Sequence, residues 1–405
     1  MSRPRRSSRL GGEPPGDTGP AFATAAVRSM PAGAPKAPGI PFKSSKRRRG
    51  QSSWQRYSSY ASQHTWLIPL TLVFIVLLGY SLDPSPTNPL HAAIFLSYPR
   101  SNTDPKGPTM YGKGAKDFAF VAFYTIVLSF MREFCMQCLL NPLGLYLGIT
   151  SRRKMARFME QMYTVMYFSM LIPFGLYVMS RSPVWYFNTT AMFEDFPHLE
   201  HEGLFKAYYL IQASYWSQQA LVLVLQLERP RTDYYEFAAH HVVTLALIWL
   251  SYRFHFTYIG LAVYITHDIS DFGLATSRVL NYLNSVLTDG YYVLFILVWI
   301  YTRHYLNLHI LWAVLTEFAT VGPYELNWET QQYKCWISQI ITFSLLAFLQ
   351  ILNLFWLFLI LRVLWNYVMT KDLVDDTSDV EDEKAQDEAR DKLTPLPEQD
   401  KKEKQ

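Results

Sequence analysis

Two adjacent histidines, His240 and His241, stand in the run AAHHVVTLALIWL, and two carboxylates, Asp268 and Asp271, stand in YITHDISDFGLA. An Asp at the centre of a bilayer costs about 2.5–3.5 kcal/mol on insertion scales, so ionisable groups kept inside an apolar helix mark a candidate site. A carboxylate that accepts from one ring nitrogen of a histidine fixes the tautomer and raises the basicity of the other. The chemistry these types can do is proton transfer or imidazole attack on a polar bond beside the membrane. Two other readings use the same residues. Buried hydrogen-bonded pairs can simply join helices, and His240, His241 and His267 with a carboxylate could furnish a zinc shell. The chain lacks the repeated HxxxH and HxxHH boxes of membrane di-iron oxidases, and no metal is expected.

Spacing sharpens the first reading. Asp268 and Asp271 are i, i+3 and share a helix face, whereas neighbouring histidines diverge by about 100°, so one ring can face each carboxylate. With Phe254 as the turn, His240 and Asp268 each lie 14 residues from it. On antiparallel neighbouring helices this sets both at one depth, roughly 21 Å from the turn at about 1.5 Å per residue. Tyr208, Gln212, Tyr215 and Gln219 recur at helical spacing, as do Glu160, Tyr163 and Tyr167. These read either as cavity-lining stripes or as interhelical hydrogen bonds.

The elements that must carry these residues are apolar runs. The 405 residues are 50% hydrophobic, 16% aromatic and 17% charged, with net charge +4. Such averages match soluble proteins; the distribution decides, because both ends are polar and the long middle carries few charges. Three cysteines exclude a disulfide framework. Runs near 66–82, 117–140, 157–179, 204–225, 237–252, 257–275, 291–311 and 336–365 predict an all-α, polytopic membrane helix bundle. It would have about eight transmembrane helices around a central cavity. The run from 291 is interrupted by Arg303 and His304. Four regions are expected: a disordered basic tail (1–64), two N-terminal spans with the segment between them (65–152), a catalytic membrane domain (153–370) and an acidic disordered tail (371–405). No secretory leader is expected, since the first apolar run begins near Thr65.

Basic loops set the orientation. Arg152, Arg153, Lys154 and Arg157 follow the second span, Arg229 and Arg231 the fourth, and Arg278 the sixth. This places both tails in the cytosol, although Arg100, Lys106, Lys113 and Lys116 lie between the first two spans. Lesser signals are discounted: Cys135-x-x-Cys138 as packing, and the sequon at Asn188 as held too close to the interface by Trp185 and Tyr186. Thr377 and Ser378 sit among carboxylates, and the terminal KKEKQ misses dilysine retrieval spacing by one position.

The stretch from His240 to Leu283, HHVVTLALIWLSYRFHFTYIGLAVYITHDISDFGLATSRVLNYL, closely resembles the signature motif of ceramide synthases. These are TLC-domain sphingoid-base N-acyltransferases of the endoplasmic reticulum. The similarity extends from about Arg153 to Thr370, and the two tails and extra first span look like the fungal members. By that resemblance His240, His241, Asp268 and Asp271 are catalytic, acyl-CoA is the co-substrate with no further cofactor, and a sphingoid base is the acceptor. Arg278 stands where the motif commonly has lysine. Arg229, Arg231 and Arg278 are the basic candidates for CoA phosphates, and Gln212, Tyr215 and Gln219 the candidate substrate contacts. Membrane lipids, a related synthase as dimer partner and a small regulatory subunit are implied partners; nucleic acid is not. One mechanism is direct transfer; the other, favoured here, acylates His240 with Asp268 as its orienter. The rival readings are a non-enzymatic TLC-domain lipid-binding or translocon-accessory protein, and a metal-dependent lipid oxidase.

Overall fold

An apolar run offers its backbone no partner but itself, so it closes its hydrogen bonds along its own axis. In the computed structural model, which describes residues 64–100, 107–228 and 233–370, every run predicted as a span falls on a helix. In chain order these are α1 (Leu67–Leu82), the short α2 (His91–Ile94), α3 (Lys116–Phe134), α4 (Asn141–Tyr146), α5 (Arg152–Ser180), α6 (Gly203–Val224), α7 (Tyr234–Arg253), α8 (Thr257–Tyr282), α9 (Thr288–Trp299), α10 (Asn307–Thr316) and α11 (Trp336–Thr370). The fold is therefore mostly helical. Its strands, β1 (Met110–Tyr111) and β2 (His201–Glu202), pair antiparallel. Among the described residues, three helical stretches are long and apolar enough to cross a membrane, Lys116–Tyr146, Arg152–Ser180 and Trp336–Met369; α1 is a shorter apolar helix. The basic N-terminal tail and the acidic tail with Thr377 and Ser378 lie outside the described residues, as do Arg229 and Arg231.

Local chemistry accounts for the breaks. Ser151 caps α5, its hydroxyl accepting from the Lys154 amide at 3.5 Å. Two helices run on through wide π-helical turns, Cys135–Leu140 between α3 and α4 and Ile300–Leu306 between α9 and α10. The polar pair Arg303–His304 therefore does not end the helix but sits in such a turn. α8 extends to Tyr282, past the expected end near 275, because Ser277 and Arg278 face a chamber within the bundle rather than a loop. That helix is the axis of the fold. It packs most extensively on α5 and also touches α7, α9 and the second π turn, so its main partner is not the neighbour that the short turn suggested.

Candidate active site

Two cavities inside the bundle have lining residues in common. The first, about 240 Å³, is a tunnel between α7, α8 and α11, walled by Leu247, Ile248, Val263, Ile341, Leu345 and Leu349. Leu326, Trp328 and Tyr333 line it near the α7–α8 turn. The second, about 230 Å³, is a polar chamber lined by Arg132, Arg157, Glu160, Gln219, Asp271, Arg278 and Arg303, with both His240 and His241. Among the described residues, only His240 and Trp216 line both.

The histidine pair is set by α7 and wedged by aromatic rings. Trp216 lies 5.9 Å from His240 and 6.0 Å from His241 between ring centres, and the two imidazoles are nearly perpendicular at 84°. Trp356 stands 5.2 Å from His240, its indole nitrogen donating to Asp233 at 3.1 Å. His241 Nδ1 donates to the Phe237 carbonyl at 2.9 Å. A carbonyl can only accept, so Nδ1 carries the proton and Nε2 is the basic nitrogen of the neutral ring. His240 is tied less firmly. Its Nε2 meets the Thr244 hydroxyl at 3.4 Å, and its Nδ1 has no hydrogen-bond partner among the described residues.

The carboxylates have separate holders. Asp268 is fully buried, its Oδ2 accepting from Tyr208 at 3.2 Å and from Gln212. Its Oδ1 meets no donor among the described residues. The expected contact between Asp268 and the His240 ring is thus replaced by one with a phenol and an amide, because the α6 stripe reaches this acid first. Asp271 faces the chamber with the two histidines and is ion-paired to Arg303. Three of the four expected residues therefore share one cavity, and the fourth lines neither.

The remaining candidates divide likewise. Gln212 holds Asp268 rather than lining the chamber, while Tyr215 and Gln219 do line it. Tyr215 stacks on Tyr167 at 3.9 Å, and Gln219 donates to Gln218 at 3.1 Å. In the chamber wall, Arg132 bridges Glu133 and Glu228 at 2.5 Å each, and Arg157 holds Glu160 at 3.1 Å. His267 keeps both nitrogens occupied, by the Val263 carbonyl at 2.8 Å and Asn353 at 3.3 Å, which leaves no lone pair for a metal. Cys135 and Cys138 are free thiols. Sequence reasoning missed Trp216, Trp356, Arg132 and Arg303. The last carried a usable signal, since a cation inside an apolar run falls under the same rule that singled out the aspartates.

The chain is similar to known proteins over most of its length. Residues 157–362 match the model of the TLC domain. The chain is 47% identical to the sphingosine N-acyltransferase lac1 of Schizosaccharomyces pombe over 85% of this chain and 89% of that one. It is 45% identical to the ceramide synthase LAG1 of Saccharomyces cerevisiae over 95% and 94% of the two chains.

Proposed function

We infer that this chain, which belongs to the TLC-domain family of sphingosine N-acyltransferases, is a ceramide synthase that moves a long acyl chain from CoA to the amine of a sphingoid base. The observation that carries the mechanism is the place of His240 at the junction of an apolar tunnel and a polar chamber. A thioester whose carbonyl rests on that ring has its hydrocarbon in the tunnel and its CoA head at the chamber mouth. Arg278, which lines the chamber, is the basic residue for its phosphates. No cofactor beyond acyl-CoA is required, because a thioester is already activated.

The two-step route follows. A lone pair of neutral His240 attacks the thioester carbon, the carbon–sulfur bond breaks, and CoA leaves as a thiolate, a good leaving group with a pKa of about 8.5 by analogy with cysteine. The acceptor arrives mostly as ammonium, with a pKa near 10 if lysine-like. His241 Nε2 takes one proton, the free amine attacks the acyl-imidazole, and the carbon–imidazole bond breaks as the amide forms. The second amine proton leaves with the thiolate or to solvent, so the sum is amide, CoA thiol and one proton. Asp271, which faces the same chamber, is the carboxylate placed to stabilise an imidazolium as it develops. In the membrane we propose about eight crossings around the central cavity, residence in the endoplasmic reticulum and both tails in the cytosol. Assembly with a second synthase chain and a small subunit is part of the same proposal.

Incubation with an acyl-CoA of defined mass, acid quench and peptide mapping tests the route. An acyl adduct on the peptide containing His240 is expected in the absence of amine, discharged when amine is added. His240→Ala should lose at least about 10³-fold in kcat and His241→Ala about 10²–10⁴-fold. Full transfer by the intact enzyme with no adduct at any quench time overturns the covalent step. Purified protein with no N-acylating activity would instead favour the lipid-binding alternative.

A further inference from the structure

Arg303 is 2% exposed in the π-helical turn Ile300–Leu306. A cation in hydrocarbon persists only where its donors are taken, and here they are taken with a fixed direction. Nε donates to Ser270 Oγ at 2.5 Å, Nη1 to Asn353 Oδ1 at 2.9 Å, and Nη2 to Asp271 Oδ1. The guanidinium carbon lies 4.2 Å from the centre of the Trp299 ring. Asn353 is held in turn, its amide donating to His267.

The turn itself is part of the arrangement. Thr302, Arg303 and His304 are consecutive and all buried, which an ordinary helix surface, turning by about 100° per residue, does not favour. A π turn widens the helix there, and such insertions recur at functional sites. Charge neutralisation of Asp271 would need only a lysine; a fork anchored on α8 and α11 also sets direction. We propose that Arg303 is a positioning residue for acyl transfer, aiming the Asp271 carboxylate into the chamber beside His240 and His241. This rests on the reading of Asp271 as part of the acyl-transfer site.

The test compares Arg303→Met, Arg303→Lys, Asp271→Asn and the Arg303→Met/Asp271→Asn double variant as full-length purified protein. It reads kcat, KM for acyl-CoA and thermal melting. Arg303→Met should lower kcat about 10–100-fold, the scale of a lost charged hydrogen bond, with KM changed less than about threefold. Arg303→Lys should recover part of this while remaining below the parent. The double variant should fall within about threefold of Asp271→Asn alone, because a residue acting through Asp271 has nothing left to aim. Equal losses from Arg303→Met in both backgrounds would make Arg303 a helix clamp and overturn the proposal, as would parental kcat in Arg303→Lys. Should Arg303→Met fail to fold, Asn353→Ala decides: it keeps the charge and loosens the fork, so about tenfold lower kcat is expected and parental kcat overturns it. Parental kcat in Asp271→Asn would instead sink the underlying site assignment, and this inference with it.

Discussion

The residue with the most to explain is Asp268. It is fully buried among apolar and aromatic neighbours, and its recorded donors are the Tyr208 hydroxyl and the Gln212 amide. Gln212 also donates to Tyr208 at 3.0 Å, so the three groups form one small network. A buried acceptor deprived of a donor costs about 1–3 kcal/mol. Gln212→Leu should therefore destabilise the purified protein by that amount, and Tyr208→Phe by about 1 kcal/mol, both read from melting in detergent with activity falling in parallel. Parental melting in Gln212→Leu would show that Asp268 is held by something else. What could be read from residue types was that two acids and two imidazoles inside apolar runs need a compensating role. Who holds whom was not readable, because Tyr208, Gln212 and the histidines are all in reach of Asp268 by helical spacing, and only packing chooses. Arg303 was legible by the same electrostatic rule, yet beside His304 it reads as a break in a span, since nothing in the sequence announces a π turn.

At the scale of elements, the site depends on how closely three helices approach, and small residues set that distance. A Cβ added at Gly175 on α5 would lie 2.6 Å from the Tyr208 hydroxyl and 2.8 Å from its ring carbon Cζ. The bare glycine therefore lets α6 press Tyr208 onto Asp268. Gly273 on α8 likewise admits Phe295 of α9, at 3.1 Å from such a Cβ. Gly290 near the start of α9 meets nothing within 4 Å. Gly175→Ala should cost about 1–3 kcal/mol through overpacking and lower activity by displacing Tyr208. Gly290→Ala should be neutral or stabilise by about 0.4–1 kcal/mol by restricting the unfolded chain. Melting curves and turnover of the two variants side by side check this, and indistinguishable variants would refute the close-approach argument. The helices themselves were legible because long apolar runs leave the backbone little alternative. The contact between α7 and α8 was legible too, from their short turn, but the chief partner of α8, which is α5, was not, because chain proximity carries no information about which face is buried.

The helical bundle of the described residues carries a polar knot that ties distant segments together. Lys113 donates to the His198 carbonyl at 2.9 Å, to His255 Nδ1 at 3.3 Å and to Thr257 at 3.4 Å, while Thr257 also meets His201 at 2.7 Å. Nearby, Lys206 is ion-paired with Asp117 at 2.7 Å, and Tyr252 donates to the same carboxylate at 2.7 Å. His255 Nε2 donates to Gln331 at 3.1 Å, and its ring stacks on Tyr333, a wall of the tunnel. The knot therefore fixes the end of the tunnel remote from the polar chamber. Burial is the main force pushing all three histidines below their ordinary value of 6.5, with Lys113 adding to it and His255 reaching about 3. Asp195 and the carbonyls at His198 pull the other way, and Lys206 and Arg253 push with burial. A folded value below the unfolded one means that the fold favours the neutral ring. Its contribution is complete above about pH 6.5 and drains as pH falls through that value, for His255 down to about 3. The limiting slope is about 1.4 kcal/mol per pH unit for each ring. Melting of the purified protein should therefore drop between pH 7.5 and 5.5, and His255→Gln should shrink that drop by about one third, since it removes one of three coupled protonations. Acyl transfer should decline over the same interval as the tunnel end loosens. An equal drop in His255→Gln and the parent would show that acid acts elsewhere and that this ring does not clamp the tunnel.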